Sequence, residues 1–152
     1  MFKRLILFLF LNFAALGIGG LFTSEGVPSQ WYQTLNQASW TPPGWMFGTA
    51  WTIIMICFAF FMAYAIKSKE TRVKLIWIYA IQWVLNILWN PVFFYFHEVL
   101  AGMVIISALT VLMAYMLITF QKNQRLATLF ILPYVIWLVI ATSLNGYILF
   151  YN

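Results

Sequence analysis

Five stretches of the chain run for about twenty residues without a charge, at 5–22, 44–66, 75–96, 99–120 and 126–150, with short polar segments between them. Each is long enough to cross roughly 30 Å of hydrocarbon as a helix rising about 1.5 Å per residue. The runs are continuous, whereas a membrane β-barrel alternates apolar and polar residues in short segments separated by turns. The pattern predicts an all-α membrane protein, a bundle of five transmembrane helices forming a single domain over residues 1–152.

The connections are unequal. His97 and Glu98 alone follow the third run, and a few polar residues, 121–125, follow the fourth. Links this short predict that the third, fourth and fifth helices are antiparallel neighbours. Segment 23–43 is longer, and Trp31, Tyr32, Leu35 and Trp40 give it apolar anchors, so it is expected to be an ordered lid over the bundle mouth. Within it, the i, i+4 spacing of Trp31 and Leu35 in SQWYQTL predicts one short amphipathic helix. The lid ends in SWTPPGW, residues 39–45. Pro42 and Pro43 fix φ and hold the residue before each of them extended, which predicts a stiff hinge from which the second helix starts, with the Thr41 hydroxyl close to that start. Trp45 reads as an interfacial anchor.

Composition agrees with the bilayer: 64% of residues are hydrophobic and 7% charged, too little polar surface to coat a soluble globule of this length. Charge then sets the orientation. Lys3 and Arg4 precede the first run, Lys67, Lys69, Arg72 and Lys74 join the second to the third, and Lys122 and Arg125 join the fourth to the fifth, which accounts for all eight basic residues. With five spans these segments share one side, and the positive-inside rule puts the N-terminus in the cytoplasm and the C-terminus outside, in a cell membrane of bacterial type. The net charge of +5 is therefore a topology signal and implies no nucleic-acid partner. Lys3-Arg4 followed by an apolar core resembles a signal peptide, but the run continues to Phe22, longer than a usual signal core, so the first helix is expected to be retained. One Cys, Cys57, and one His make neither an internal disulfide nor a metal cluster.

The five runs hold no Asp, Glu, Lys, Arg or His, which argues against proton pumps and ion-coupled transporters. They do hold amides and indoles. Gln82, Asn86 and Asn90 recur at i, i+4, i+8 with Trp89 and Phe93 beside them, a polar stripe that must face other helices or a cavity. In the fifth run Trp137, Ala141, Leu144 and Asn145 share a face, with small residues above Trp137. Trp51 lies about 10 Å below the outer mouth, Asn86, Trp89 and Asn90 fall in the outer half and Trp137 near the middle. Indole faces and amides at compatible depths under a lid suit a flat, largely apolar ligand, while Gln82 and Asn90 serve equally well as helix-to-helix glue. Pro91 and Pro133 are expected to kink their spans, and Ala101-Gly102 and Ser107-Ala108 offer small surfaces for contact with a second copy.

The sequence resembles the tryptophan-rich sensory protein / translocator protein family, once called peripheral-type benzodiazepine receptors, over nearly its whole length. The resemblance rests on Trp31-Tyr32, SWTPPG at 39–44, Phe47-Gly48 and Trp51, then Gln82, Leu85-Asn86 and Trp89-Asn90, then Pro133-Tyr134, Trp137, Ala141-Thr142 and Leu144-Asn145. It implies a five-helix homodimer with no intrinsic cofactor, binding tetrapyrroles such as protoporphyrin IX, and isoquinoline carboxamide or benzodiazepine-type ligands, in a cavity closed by the first loop. Matching positions imply a ligand site of Tyr32, Pro42, Phe47, Trp51, Asn86, Trp89, Trp137, Ala141 and Leu144. Two departures stand out. Animal members linked to cholesterol carry an aromatic-then-basic pattern late in the fifth helix, whereas 144–152 here has no Lys or Arg, and Ile105 stands where some relatives carry an acid.

The expected function is that of a membrane receptor or sensor for porphyrin or haem-like tetrapyrroles. As an alternative enzyme, it would degrade protoporphyrin in light, the chemistry coming from photoexcited ligand and oxygen with Trp51 and Trp137 as redox partners. A tetrapyrrole transporter would need two alternating openings, and neither repeated halves nor paired broken helices are present in the sequence. A structural assembly factor would use the same residues only to pack helices.

Overall fold

The computed structural model describes residues 1–121 and 125–152, so Lys122 of the basic set lies outside the described residues. Five helices are long and apolar enough to span a membrane: α1 (Phe2–Gly26), α3 (Gly44–Ala65), α4 (Arg72–Asn90) extended by a π-helical turn (Pro91–Tyr95), α5 (Val99–Gln121) and α7 (Leu132–Tyr151). Two short helices complete the chain, α2 (Gln30–Thr34) in the long loop and α6 (Arg125–Thr128), which leads through a 3₁₀ turn (Leu129–Ile131) into α7. The chain is an integral membrane protein.

The helices close into a ring in the order α3, α1, α4, α5, α7 and back to α3. The short links make α4, α5 and α7 consecutive neighbours, as the sequence predicts, while the long loop lets α1 insert between α3 and α4. Buried residues from all five spans form one apolar core, with Phe58, Phe61, Phe120 and Tyr134 at its centre. The faces left exposed carry Ile, Leu, Val and Phe, the composition that lipid tails accept without cost.

One end of the ring gathers the basic residues. There the Arg72 guanidinium donates to the Ile66 carbonyl at 3.1 Å, a cation at the C-terminal end of α3 where unpaired carbonyls concentrate negative partial charge. Near its middle α1 is fastened by amide and indole groups. Asn12 donates through Nδ2 to Met55 O (2.9 Å) and accepts from the Tyr79 hydroxyl (2.8 Å), and Trp83 Nε1 donates to Leu11 O (2.9 Å).

The other end carries the lid, and here several expectations need adjustment. α1 continues to Gly26, so 23–26 belong to it and not to the loop: polar Thr23, Ser24 and Glu25 mark the edge of the hydrocarbon, not a helix stop, and Pro28, with no N–H, ends the ladder. Pro91 does not simply kink its span. It opens a π turn in which Phe96 N–H bonds back to Pro91 O (2.9 Å), and the wider winding turns Phe93 and Phe94, adjacent in sequence, both inward. Pro133 sits in the first turn of α7, and the last span, Arg125–Tyr151, is interrupted just before it by the 3₁₀ turn at Leu129–Ile131, where the missing N–H leaves the α-helical ladder broken. Gly102 is not available to a second copy, because it faces inward against Phe93, 3.1 Å from where a Cβ would stand.

Candidate functional site beneath the lid

The short helix α2 is where the sequence places it, with the Ser29 hydroxyl accepting from Tyr32 N–H (3.2 Å). Its apolar side docks on the π turn. Tyr32 is buried, 5.6 Å from Phe94 and 6.4 Å from Phe93, and Trp31 stacks on His97 at 4.1 Å and 17°. His97 holds φ at 57°, the left-handed conformation that lets two residues reverse the chain between α4 and α5. Burial pushes the Tyr32 phenol above its ordinary value, which keeps it neutral at physiological pH.

The rest of the lid is fastened to α7. Asn36 N–H donates to the Asn152 side chain (2.7 Å), whose Nδ2 returns a bond to Asn36 O (3.3 Å), and Trp40 Nε1 reaches Ser143 Oγ (3.2 Å) while its ring meets Tyr147 edge-on. SWTPPGW thus is a docked strap. Pro43, at φ −60° and ψ 148°, is the N-cap of α3, and no side chain caps that helix. The Thr41 hydroxyl does not cap that helix, whose entry geometry the two prolines already fix. Trp45 is 69% exposed at the first turn of α3.

Beneath this strap the nine sequence-derived site residues divide into groups. Tyr32, Phe47, Trp89, Ala141 and Leu144 line a central crevice of about 20 Å³, closed by Phe93, Phe94 and Asn145. Phe47, Trp51 and Asn86 line a larger cavity of about 420 Å³ between α1, α3 and α4, a size within the ordinary range for small-molecule sites. Phe47 belongs to both and separates them. Trp137 lines neither: it packs edge-on against Phe47 (5.5 Å, 85°), and its Nε1 is buried without a hydrogen-bond partner. Pro42 lines neither cavity and acts through the strap.

The α4 stripe is turned wholly inward, Gln82, Asn86 and Asn90 all being buried. Two of the three amides are spent on packing. Gln82 accepts from the Tyr134 hydroxyl (3.3 Å), and Asn90 donates to Asn86 O (2.9 Å) and accepts from the Thr23 hydroxyl of α1. Asn86 is buried as a residue, but its side-chain amide makes no hydrogen bond to protein among the described residues and lines the large cavity. Trp89 Nε1 is held by Asn145 (3.2 Å), so that indole is a fixed wall.

Sequence reasoning missed the cavity's α1 wall, namely Ala15, Leu16, Gly19, Gly20, Thr23 and Ser24. Its signal was present as small residues at four-residue spacing, Ala15 with Gly19 on α1 and Gly44 with Gly48 on α3.

A model of the TspO/MBR family matches residues 6–151. The chain belongs to the TspO/MBR family. It is 34% identical over 139 residues to the tryptophan-rich protein TspO of Chlorobaculum tepidum, covering 88% of this chain and 86% of that protein. It is similar to the tryptophan-rich sensory protein of Cereibacter sphaeroides at 31% (90% and 87% covered). The human translocator protein is 26% identical over 125 residues, 80% of this chain and 74% of its own. Membership of the TspO/MBR family thus rests on a match spanning all five helices and the strap.

Proposed function

We propose that this TspO/MBR protein is a membrane receptor or sensor that binds porphyrin or haem-like tetrapyrroles, and flat isoquinoline carboxamide or benzodiazepine-type ligands, in the cavity under the lid. The observation that carries the reading is the convergence of Phe47, Trp51 and the unpartnered Asn86 amide on about 420 Å³ of space. An amide that has no protein partner and lines an apolar cavity is available to bond a ligand's polar group, and the aromatic side chains offer faces on which a planar ring stacks. The orphaned Trp137 Nε1 adds a donor within reach once Phe47 turns aside. The proposal includes a homodimer, with the exposed Ala101, Val104 and Ala108 side of α5 as its contact surface.

Titration of detergent-purified protein with protoporphyrin IX in the dark tests this. Saturable quenching of tryptophan fluorescence is expected, weakened several-fold by Trp51→Phe and by Asn86→Leu. Linear quenching, identical in all three proteins, would mean partitioning into the micelle and would sink the reading. Illumination afterwards separates the alternative: loss of the porphyrin spectrum in light, abolished by Trp51→Phe while dark binding survives, would make the protein a porphyrin-degrading enzyme.

A further inference from the structure

The seam between α1 and α3 changes character half-way along. At the middle of both helices Asn12 bonds Met55 O directly across it, and Tyr79 and Trp83 tie the same turns of α1 to α4. Toward the lid end no hydrogen bond joins α1 to α3 among the described residues, and the facing positions are Gly20 on one helix and Gly44 and Gly48 on the other. Glycines in membrane helices ordinarily let two backbones touch. Here a Cβ built at Gly44 would touch Val27 (3.4 Å), whereas one at Gly20 or Gly48 would meet nothing within 4 Å, so the seam is open below the Val27 contact. The cavity runs from Ser24, Pro28 and Trp45 at the lid end down to Gly48, about 6 Å, and Trp51, about 10 Å, along α3 from its start, so the open seam continues from the membrane surface into the depth of the hydrocarbon.

Over the central crevice the aqueous side is shut. The strap is hydrogen-bonded to α7 at Asn36, Asn152, Trp40 and Ser143, and α2 is packed by Tyr32 and Trp31 onto the π turn. Beneath it the central crevice leaves about 20 Å³, no room for a planar ring system. The larger cavity is walled by indole and glycine, and its one free amide, Asn86, is set at the inner side of the groove.

We propose that the cavity is loaded sideways from the bilayer, through a port between the lid-end halves of α1 and α3, by a planar membrane-dissolved amphiphile whose polar group pairs with the Asn86 amide. This rests on the ligand-pocket reading above and adds its route and its selectivity. Asn86 offers a donor and an acceptor together, which suits a carbonyl, an amide or a protonated carboxyl. A ligand with several ionised groups is rejected before it reaches the port, because those groups would have to be dragged through hydrocarbon. The inner half of α1, pinned at Asn12, is the fixed part against which its outer half swings.

The test uses full-length protein in nanodiscs, with protoporphyrin IX dimethyl ester dissolved in the bilayer as probe and the water-confined octacarboxylate uroporphyrin as contrast. Three proteins are compared in a Cys57→Ser background: the parent, a lid staple carrying Asn36→Cys with Asn152→Cys, and a plugged port carrying Gly20→Leu with Gly48→Leu. Loading from the bilayer predicts that the oxidised staple takes up the ester at the parent's rate, that the plug slows uptake about tenfold or more, and that uroporphyrin does not bind. A staple that stops uptake while the plug leaves it unchanged would overturn the port. Spin labels at Gly20→Cys with Gly48→Cys give a readout independent of any porphyrin. A distance distribution broader than that of the basic-end pair Ile6→Cys with Tyr64→Cys supports a moving port, and one equally narrow overturns it. Should the parent bind no tetrapyrrole at all, the receptor reading fails, and the spin-label distances alone decide the port.

Discussion

At the residue scale, identical side chains have opposite duties here according to what surrounds them. Asn12, Asn86 and Asn90 are all buried amides, yet Asn12 and Asn90 have protein partners and Asn86 has none. Asn12 is therefore a structural pin. Replacing it by Leu removes two hydrogen bonds and leaves the Tyr79 hydroxyl unpaired in an apolar interior, so Asn12→Leu should destabilise the bundle by about 1–2 kcal/mol. Removing the orphaned hydroxyl as well, in Asn12→Leu with Tyr79→Phe, should recover part of the loss. Thermal or SDS unfolding checks both, and a double variant no better than the single one would show that the hydroxyl found another partner. Asn86→Leu should leave stability unchanged or raised, because it removes an amide that nothing in the protein satisfies.

At the element scale, the π turn and the residue that follows it hold the lid. Winding Pro91–Tyr95 one residue wider puts Phe93 and Phe94 on the inside together, and the left-handed His97 then brings its ring onto Trp31. A stacked aromatic pair contributes about 0.5–1.5 kcal/mol beyond its burial, so His97→Ala should raise the open fraction of the loop about 2- to 10-fold. Chymotrypsin cleavage at Trp31 or Tyr32 in nanodiscs would report it, with helical content unchanged. Cleavage at the parent's rate would mean that Tyr32 on Phe94 suffices to hold α2. The sequence made α2 legible through the Trp31 and Leu35 spacing and the Ser29 cap, but the π turn has no periodicity of its own, and the proline that begins it usually signals only a kink.

At the scale of the whole molecule, the basic residues of the described chain gather at one end of the ring and the lid at the other, an asymmetry from which the positive-inside rule predicts a cytoplasmic basic end. In a Cys57→Ser background, Ser39→Cys on the strap should react with a membrane-impermeant maleimide on intact cells, whereas Glu70→Cys between α3 and α4 should react only after permeabilisation. The reverse pattern would turn the topology over and place the lid in the cytoplasm. The ring order also explains where the open space lies. α1 is tied to its neighbours near its middle and at the Thr23 to Asn90 contact, and between these points nothing bonds it to α3.

The sequence by itself determined the number of spans, the gathering of the basic residues at one end of them, the inward stripe of α4 and the ordered strap. All of these depend on local patterns: a run length set by bilayer thickness, a charge that will not cross it, a period of 3.6 and a pair of prolines. Only the tertiary structure decided which amide is free, since periodicity gives the face of a helix and not the partner waiting opposite. It also parted the site residues between a closed crevice and an open groove, with Phe47 lining both and Trp137 and Pro42 lining neither, and it put α1 into the wall through glycines that carry no hydropathy signal of their own. Side chains announce themselves in a sequence; the empty space that accepts a ligand arises where they are missing, and that depends on how helices distant in the chain are set side by side.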